Sequence, residues 1–307
     1  MILAVCANPS VDAFWNIDDI QKGTTNRSTN EQYFPGGKGI HVALALKELN
    51  SIVATLGVWG GITGQWIKEE CHKKDILTIG PDVKEWTRTC ITNKSNTQWK
   101  DTEFLGAGPS LTASQTEQFL SSYTQELNKS SVEAVILSGS VPTGMDKDIY
   151  KQMVLEARSH DIPSYVDASN KLLDHALEAQ PFVVHINREE GKALTGHDDP
   201  ITIATSLREH CQIAAVTAGK DGLYLAADNH IYHGRHTINQ KNIISTIGSG
   251  DCLLAGLCKA ILTREDIGEW AKLATACGSA NCIHPQLGMF NAQDVNRIFN
   301  QVRLEII

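Results

Sequence analysis

From about residue 130 onward, short apolar runs alternate with amphipathic stretches. VEAVILSG reads as a buried strand and DKDIYKQMVLEARSH behind it as a helix. IPSYVDAS and KLLDHALEAQ repeat that unit, as do FVVHIN and REEGKALTG, and ITIATSLREHC leads into the strand AAVTAG. Strands fully apolar over four to six residues and separated by helices predict a parallel sheet covered on both faces. Sites in such sheets gather where strands end. SGS, DAS, NREE and TAGKDG all stand at such ends.

The N-terminal part has a different rhythm. MILAVCANPSVDAFW reads as a first strand; its apolar run is short, is broken by Asn8 and Pro9 and has no basic segment ahead of it, so a secretory signal is not expected. Residues 10–35 and 86–106 hold alternating segments such as TRTCITN and TEFLGAG, on either side of a helix beginning at GGKGIHVALALKEL. These pieces predict a small antiparallel sheet, a lid over the strand ends of a single domain spanning 1–307.

Composition narrows the reading. The 307 residues are 42% hydrophobic and 20% charged, enough for a large core. The net charge of −8 and the lack of any Lys/Arg block argue against nucleic acid as a partner. No apolar run approaches membrane-spanning length. The eight cysteines form no CxxC pair, which predicts buried, reduced thiols and a cytoplasmic protein.

Two glycine turns carry candidate chemistry. In PGGKGIHVALALKEL, Gly36, Gly37 and Gly39 bracket Lys38 ahead of a helix, where a backbone can approach an anion closely. It is not a nucleotide loop of the GxxxxGK[ST] kind. In GSGDCLLAGL, the N–H groups of Gly248, Ser249 and Gly250 can form a nest for negative charge, and Asp251 beside them can accept a proton from an attacking hydroxyl. Both roles belong to phosphoryl transfer; an Asp capping a helix after a glycine turn fits the same letters. Asn187 and Glu190 of NREE share a helix face that could hold hydrated Mg²⁺ or simply start a solvated helix. TAGKDG, 217–222, is a glycine turn between strands, and Arg27 and Arg88 lie in the lid segments.

The order and spacing of GGKG, SGSVPTG, NREE, TAGKDG and GSGD resemble the ribokinase-like (PfkB-type) carbohydrate kinase family along essentially the whole chain. Within it, NPSVD at 8–12 resembles the branch acting on phosphorylated ketohexoses, and TRTCI, TEFLGAGP and FNQVRLEII look most like tagatose-6-phosphate kinase, with 1-phosphofructokinase the neighbouring possibility. The resemblance implies an open α/β sandwich with a small β lid, ATP and Mg²⁺ as cofactors and a phosphosugar substrate; separately, exposed lid strands make a homodimer reasonable. It implies Asp251 as base and Gly248, Ser249 and Gly250 as anion hole. Asp12, Gly37, Lys38 and His41 match sugar-binding positions, and Arg27, Arg88 and Ser138 match positions facing the substrate phosphate. Asn187 and Glu190 match a magnesium-linked motif. Thr217, Gly219 and Gly222 match the nucleotide turn, with Asn281 near the adenine.

Three positions depart from the branch: His41 stands for Asn, HIN at 185–187 stands for Lys-Pro-Asn, and GSGD stands for GAGD. A catalytically idle sugar-binding regulator is the reading that these histidines would favour. At a helix N-terminus, His41 is expected to be neutral.

Overall fold

The computed structural model describes residues 1–95, 97–129 and 131–307. Its first half runs β1 (Ile2–Cys6), β2 (Ser10–Trp15), β3 (Glu31–Gly36), α1 (Lys38–Glu48), β4 (Val53–Gly57), β5 (Trp59–Gly60), α2 (Gly61–His72), β6 (Leu77–Ile79), β7 (Asp82–Val83), β8 (Arg88–Asn93), β9 (Glu103–Leu105) and α3 (Ala113–Leu127). There follow β10 (Ala134–Ser138), α4 (Ile149–Ser159), β11 (Ser164–Asp167), α5 (Asn170–Glu178), β12 (Val183–Asn187), α6 (Arg188–Thr195), α7 (Pro200–Leu207), β13 (Ile213–Thr217), β14 (Leu223–Ala227) and β15 (His230–Arg235). The chain closes with α8 (Ser249–Thr263), α9 (Ile267–Cys282), α10 (Ala292–Phe299) and β16 (Arg303–Ile306).

Ten strands form the main sheet in the order β16-β15-β14-β13-β12-β11-β10-β1-β4-β6. From β13 to β6 every pairing is parallel; β14, β15 and β16 add an antiparallel flank. The apolar runs are continuous because both faces are covered. In β1, Ile2, Ala4 and Cys6 enter the core under α1, α8, α9 and α10, while Leu3 and Val5 enter the core under α3, α4, α5 and α7. Ala134 and Ile136 of β10 split from Val135 and Leu137 in the same way. This is the mostly parallel α/β sheet covered on both faces that the apolar runs predict, and it fits the fold that the resemblance implies.

Two expectations need correction. The N-terminal run is two strands, not one: Asn8 and Pro9 break it, and β2 leaves the main sheet for a second, four-stranded sheet ordered β3-β2-β8-β9. That sheet is mixed rather than antiparallel. Ser10, four residues beyond the end of β1, pairs with Arg88, the first residue of β8, so both strands start beside the main sheet and run outward in parallel. β3 and β9 flank them in antiparallel register. No helix among the described residues is long and apolar enough to cross a membrane. All eight cysteines are free, and seven are buried.

Candidate active site

The parallel strands deliver their last residues to one place. Cys6, Ser138, Asp167, Asn187 and Thr217, the final residues of β1, β10, β11, β12 and β13, all line a cavity of about 1110 Å³. The small sheet supplies the opposite wall with every second residue: Ser10 and Asp12 from β2, Arg88, Cys90 and Thr92 from β8, and Glu103 and Leu105 from β9. Two-residue periodicity is what puts them on one face.

The turn into α8 closes one end. Gly248 caps the helix at φ +81°, and a Cβ there would stand 2.5 Å from the Gly288 nitrogen, so the position demands glycine. The nest differs in one member from the sequence reading. Ser249 N–H is donated to the Thr246 carbonyl at 3.2 Å, and its hydroxyl to Asn281 Oδ1 at 3.0 Å. Gly250 and Asp251 are left as the first-turn N–H donors, as at any helix start. Asp251 is buried on the same turn and lines the cavity.

Two buried clusters of opposite charge flank this turn. Asp167 is 1% exposed; its Oδ1 receives Lys38 Nζ at 2.6 Å and its Oδ2 faces His185 Nδ1 at 3.0 Å. Burial alone would raise its pKa, but the Lys38 and His185 contacts outweigh that and hold the carboxyl well below the usual range. Lys38 in turn sits above the usual lysine range: burial opposes the charge, and Asp167 with Asp251 overcomes it. The His185 ring packs against Gly250, whose added Cβ would lie 2.9 Å from Cε1, and Nε2 reaches Thr217 Oγ1 at 3.5 Å.

The second cluster overturns the expectation of a neutral His41. Nδ1 lies 2.8 Å from Asp251 Oδ2, and Nε2 lies 3.1 Å from Asp12 Oδ2 as an ion pair rather than an aligned hydrogen bond. Burial disfavours the charged ring, yet the two carboxylates together outweigh burial and the helix start, and raise its pKa to about 10. Ser10 Oγ donates to the other oxygen of Asp12 at 2.6 Å.

Among the described residues, five buried polar atoms of cavity-lining side chains have no hydrogen-bond partner in the protein: Ser138 Oγ, Asn8 Oδ1, Arg88 Nε, His41 Nε2 and His236 Nδ1. Buried polar atoms are ordinarily paired, so such a group marks where a polar ligand fits. Asn8 also donates Nδ2 to the Ala107 carbonyl at 3.1 Å. Gly37 caps α1 at φ +94°. Gly219 and Gly222 hold the β13–β14 turn at φ +55° and +93° and line the cavity beside Thr217.

Asn187 and Glu190 line the cavity but form a capping box: Asn187 Oδ1 accepts from Glu190 N–H at 2.9 Å, and Glu190 Oε2 accepts from Asn187 N–H at 2.9 Å. Among the described residues no three His, Cys, Asp or Glu side chains are grouped to hold a metal. Two sequence candidates stand outside the cavity. Arg27 is exposed on the loop between β2 and β3, which carries it away from the strand ends. Asn281 is buried with its amide committed, Oδ1 to Ser249 and Nδ2 to the Met289 carbonyl at 3.0 Å. Sequence reasoning missed Asp167 and Asn8 as site residues, although DAS and NPSVD both end or follow strands.

Comparison with known proteins gives one family, described as pfkB family carbohydrate kinase, matched over residues 7–291. Among solved structures, a Thermotoga maritima protein named a possible 1-phosphofructokinase superposes with a TM-score of 0.87 at 26% identity, covering 100% of this chain and 99% of its own. A Staphylococcus aureus protein provisionally named a phosphofructokinase gives 0.83 at 27%, covering 100% and 99%. The ribokinase of Thermotoga maritima gives 0.75 at 15%, covering 98% and 99%, and shares the fold.

Proposed function

The chain belongs to the pfkB family of carbohydrate kinases, and on that premise we propose that it transfers the γ-phosphate of ATP to a hydroxyl of a phosphorylated ketohexose, D-tagatose 6-phosphate giving the 1,6-bisphosphate. The observation that carries this reading is Asp251, buried on the first turn of α8 and facing a cavity that also holds Arg88 and the unpartnered Ser138 Oγ. Asp251 takes the proton from the sugar hydroxyl. The N–H groups of Gly250 and Asp251, at the positive end of α8, hold the transferred phosphoryl group as its charge shifts. Asp12 and Asn8 accept from sugar hydroxyls, and Arg88 with Ser138 binds the phosphate already on the sugar, a match of guanidinium fork to phosphate. The nucleotide lies along Thr217, Gly219 and Gly222.

Mg²⁺ fits this donor set through water. It commonly keeps several waters and takes one or two carboxylates plus substrate phosphates, and the capping box engages only Oε2 of Glu190. Bound there with the nucleotide, it would neutralise phosphate charge. The four-stranded sheet serves as the lid. Its edge strands expose Tyr33 on β3 and Phe104 and Leu105 on β9, and an open apolar edge of this kind supports pairing with a second copy.

Fructose 1-phosphate is the second reading, favoured by the similarity to the Thermotoga maritima protein. A panel of kcat/KM values over tagatose 6-phosphate, fructose 6-phosphate, fructose 1-phosphate and fructose tests both. Preference for tagatose 6-phosphate supports the first, preference for fructose 1-phosphate selects the second, and turnover of fructose alone removes the phosphosugar assignment. Light scattering of wild type against Phe104→Asp tests the dimer; a monomeric wild type ends that part of the reading.

A further inference from the structure

Two carboxylates from distant parts of the chain converge on one imidazole. His41, in the first turn of α1, faces Asp251 through Nδ1 and Asp12 through Nε2. The three side chains are 6%, 7% and 11% exposed. Glycines make the room. A Cβ on Gly288 would lie 2.2 Å from His41 Cγ, and one on Gly36 would lie 2.1 Å from the Asp12 carboxyl carbon. Nδ1 stands at hydrogen-bond distance from one carboxylate and Nε2 at ion-pair distance from the other, and opposite charges this close on both sides favour the ring with a proton on each nitrogen.

We propose that His41 is a positioning residue whose imidazolium clamps Asp12 and Asp251 into one unit, keeping both ionised and Asp251 aimed at the sugar hydroxyl. The inference rests on the reading of Asp251 as base. Two carboxylates turned toward one buried pocket repel, and a cation held between them offsets that repulsion. Asp251 engages His41 with Oδ2, which leaves Oδ1 for the substrate. In the transfer the sugar O–H bond breaks and its proton goes to Oδ1. The sugar oxygen bonds to the γ-phosphorus, and the bond from phosphorus to the departing ADP oxygen breaks. His41 keeps both protons throughout. The clamp thus ties the carboxylate that recognises sugar to the carboxylate that activates it.

Other charges bear on the pair. Lys38 acts on Asp251 from the same helix, and Glu103 acts on Asp12 from β9. Arg88 and Cys90 lie beside Asp12 on β8, with Cys6 behind it on β1 and Cys252 next to Asp251 on α8. Burial raises all three thiols, so they stay protonated. Glu103 is the remaining group whose titration could be confused with the clamp, because burial and Asp12 raise its pKa.

The test combines NMR titration of histidine Cε1–H signals in the free protein with kcat/KM against pH. One signal, absent from His41→Asn, should remain in the charged form through pH 8, and its midpoint should fall in Asp251→Asn. In His41→Asn the acid limb of kcat/KM should move up by about 1–3 pH units. Glu103→Gln should leave the limb in place, whatever its rate. A packing role for His41 would change stability but not the limb. A neutral His41 at pH 7, or an unmoved limb in His41→Asn, overturns the proposal. If that variant fails to fold, the titration in wild type and Asp251→Asn decides alone. If the wild type phosphorylates no sugar on the panel, the reading of Asp251 as base fails, while the same titration still decides whether the clamp exists.

Discussion

Lys38 and Asp167, 129 residues apart, meet at 2.6 Å between Nζ and Oδ1, and the same carboxylate holds His185. One end of the bridge is buried and the other is 41% exposed. Asp167→Asn should therefore cost about 1.5–3 kcal/mol, the range for hydrogen bonds to charged groups, and not the larger loss of a fully buried pair. The sign with pH follows from the depressed carboxyl. Its contribution is complete above the ordinary value of 3.8 and declines as pH falls through and below it. Urea unfolding at pH 7 and pH 3 checks this: wild type and Asp167→Asn should differ clearly at pH 7, and the difference should be smaller but not gone at pH 3, which still lies above the depressed folded-state value.

Asp251→Asn should fold and bind sugar but lose about 10²–10⁴-fold in kcat, the contribution of a positioned base. Asn keeps the side-chain volume, and the cap of α8 is Gly248, not Asp251. Steady-state kinetics with a melting curve separates loss of chemistry from loss of fold. Retention of more than about half of kcat would remove Asp251 from the base role.

Arg88→Ala should raise KM for a phosphorylated sugar by about 1.5–3 kcal/mol and leave an unphosphorylated analogue nearly unaffected. Among the described residues the guanidinium gives only Nη1 to a protein acceptor, the Gly106 carbonyl at 3.3 Å, which leaves its other donors for a ligand. Arg27→Ala, by contrast, should change neither KM, because Arg27 stands outside the cavity. KM values for both substrates in both variants decide whether the arginines act separately or as a clamp.

The main sheet was legible because its strands are apolar on both faces and repeat with helices between them; β10 to β13 follow the expected runs. The N-terminal break was harder to read. Asn8 and Pro9 interrupt an apolar run, and nothing local says that the chain changes sheets there. The glycine turn before Asp251 was legible as a helix start because its letters act locally. The charge on His41 was not, since it depends on Asp251, 210 residues away, and on Asp12 approaching from the second sheet. Local reasoning from the helix dipole gives a neutral ring; two buried carboxylates within about 3 Å dominate a terminal dipole, whose effect is typically below about 1 kcal/mol. Asp167 was missed for the same reason: its partners come from α1 and β12.

Gly248→Ala should destabilise the protein and depress turnover together. A non-glycine residue at φ +81° costs about 1–2 kcal/mol, and the new methyl would stand 2.5 Å from the Gly288 nitrogen. Gly288 also borders His41, so the displacement reaches the clamp. Gly196→Ala is the comparison: its φ of +77° is similar, but nothing lies within 4 Å of an added Cβ. Thermal melts should show the larger loss for Gly248→Ala, and only that variant should lower kcat.

The stability of the whole chain should carry the mark of His41. Its folded pKa is raised from 6.5 to about 10. A raised value means that the folded state holds the proton more tightly than the unfolded chain does. The contribution is therefore fully present below pH 6.5 and is lost as pH rises from there through 10, by up to about 1.4 kcal/mol per pH unit. His41→Asn has no such proton to hold. The difference in unfolding free energy between wild type and His41→Asn should be greatest near pH 6, shrink steadily through pH 8 and 9, and reach a residue set by packing above pH 10. The direction separates this pair from Asp167, whose contribution weakens toward acid. Denaturant unfolding of both proteins at pH 6, 8 and 9.5 is the measurement. A difference that stays constant across the three would mean that His41 gains no proton affinity on folding.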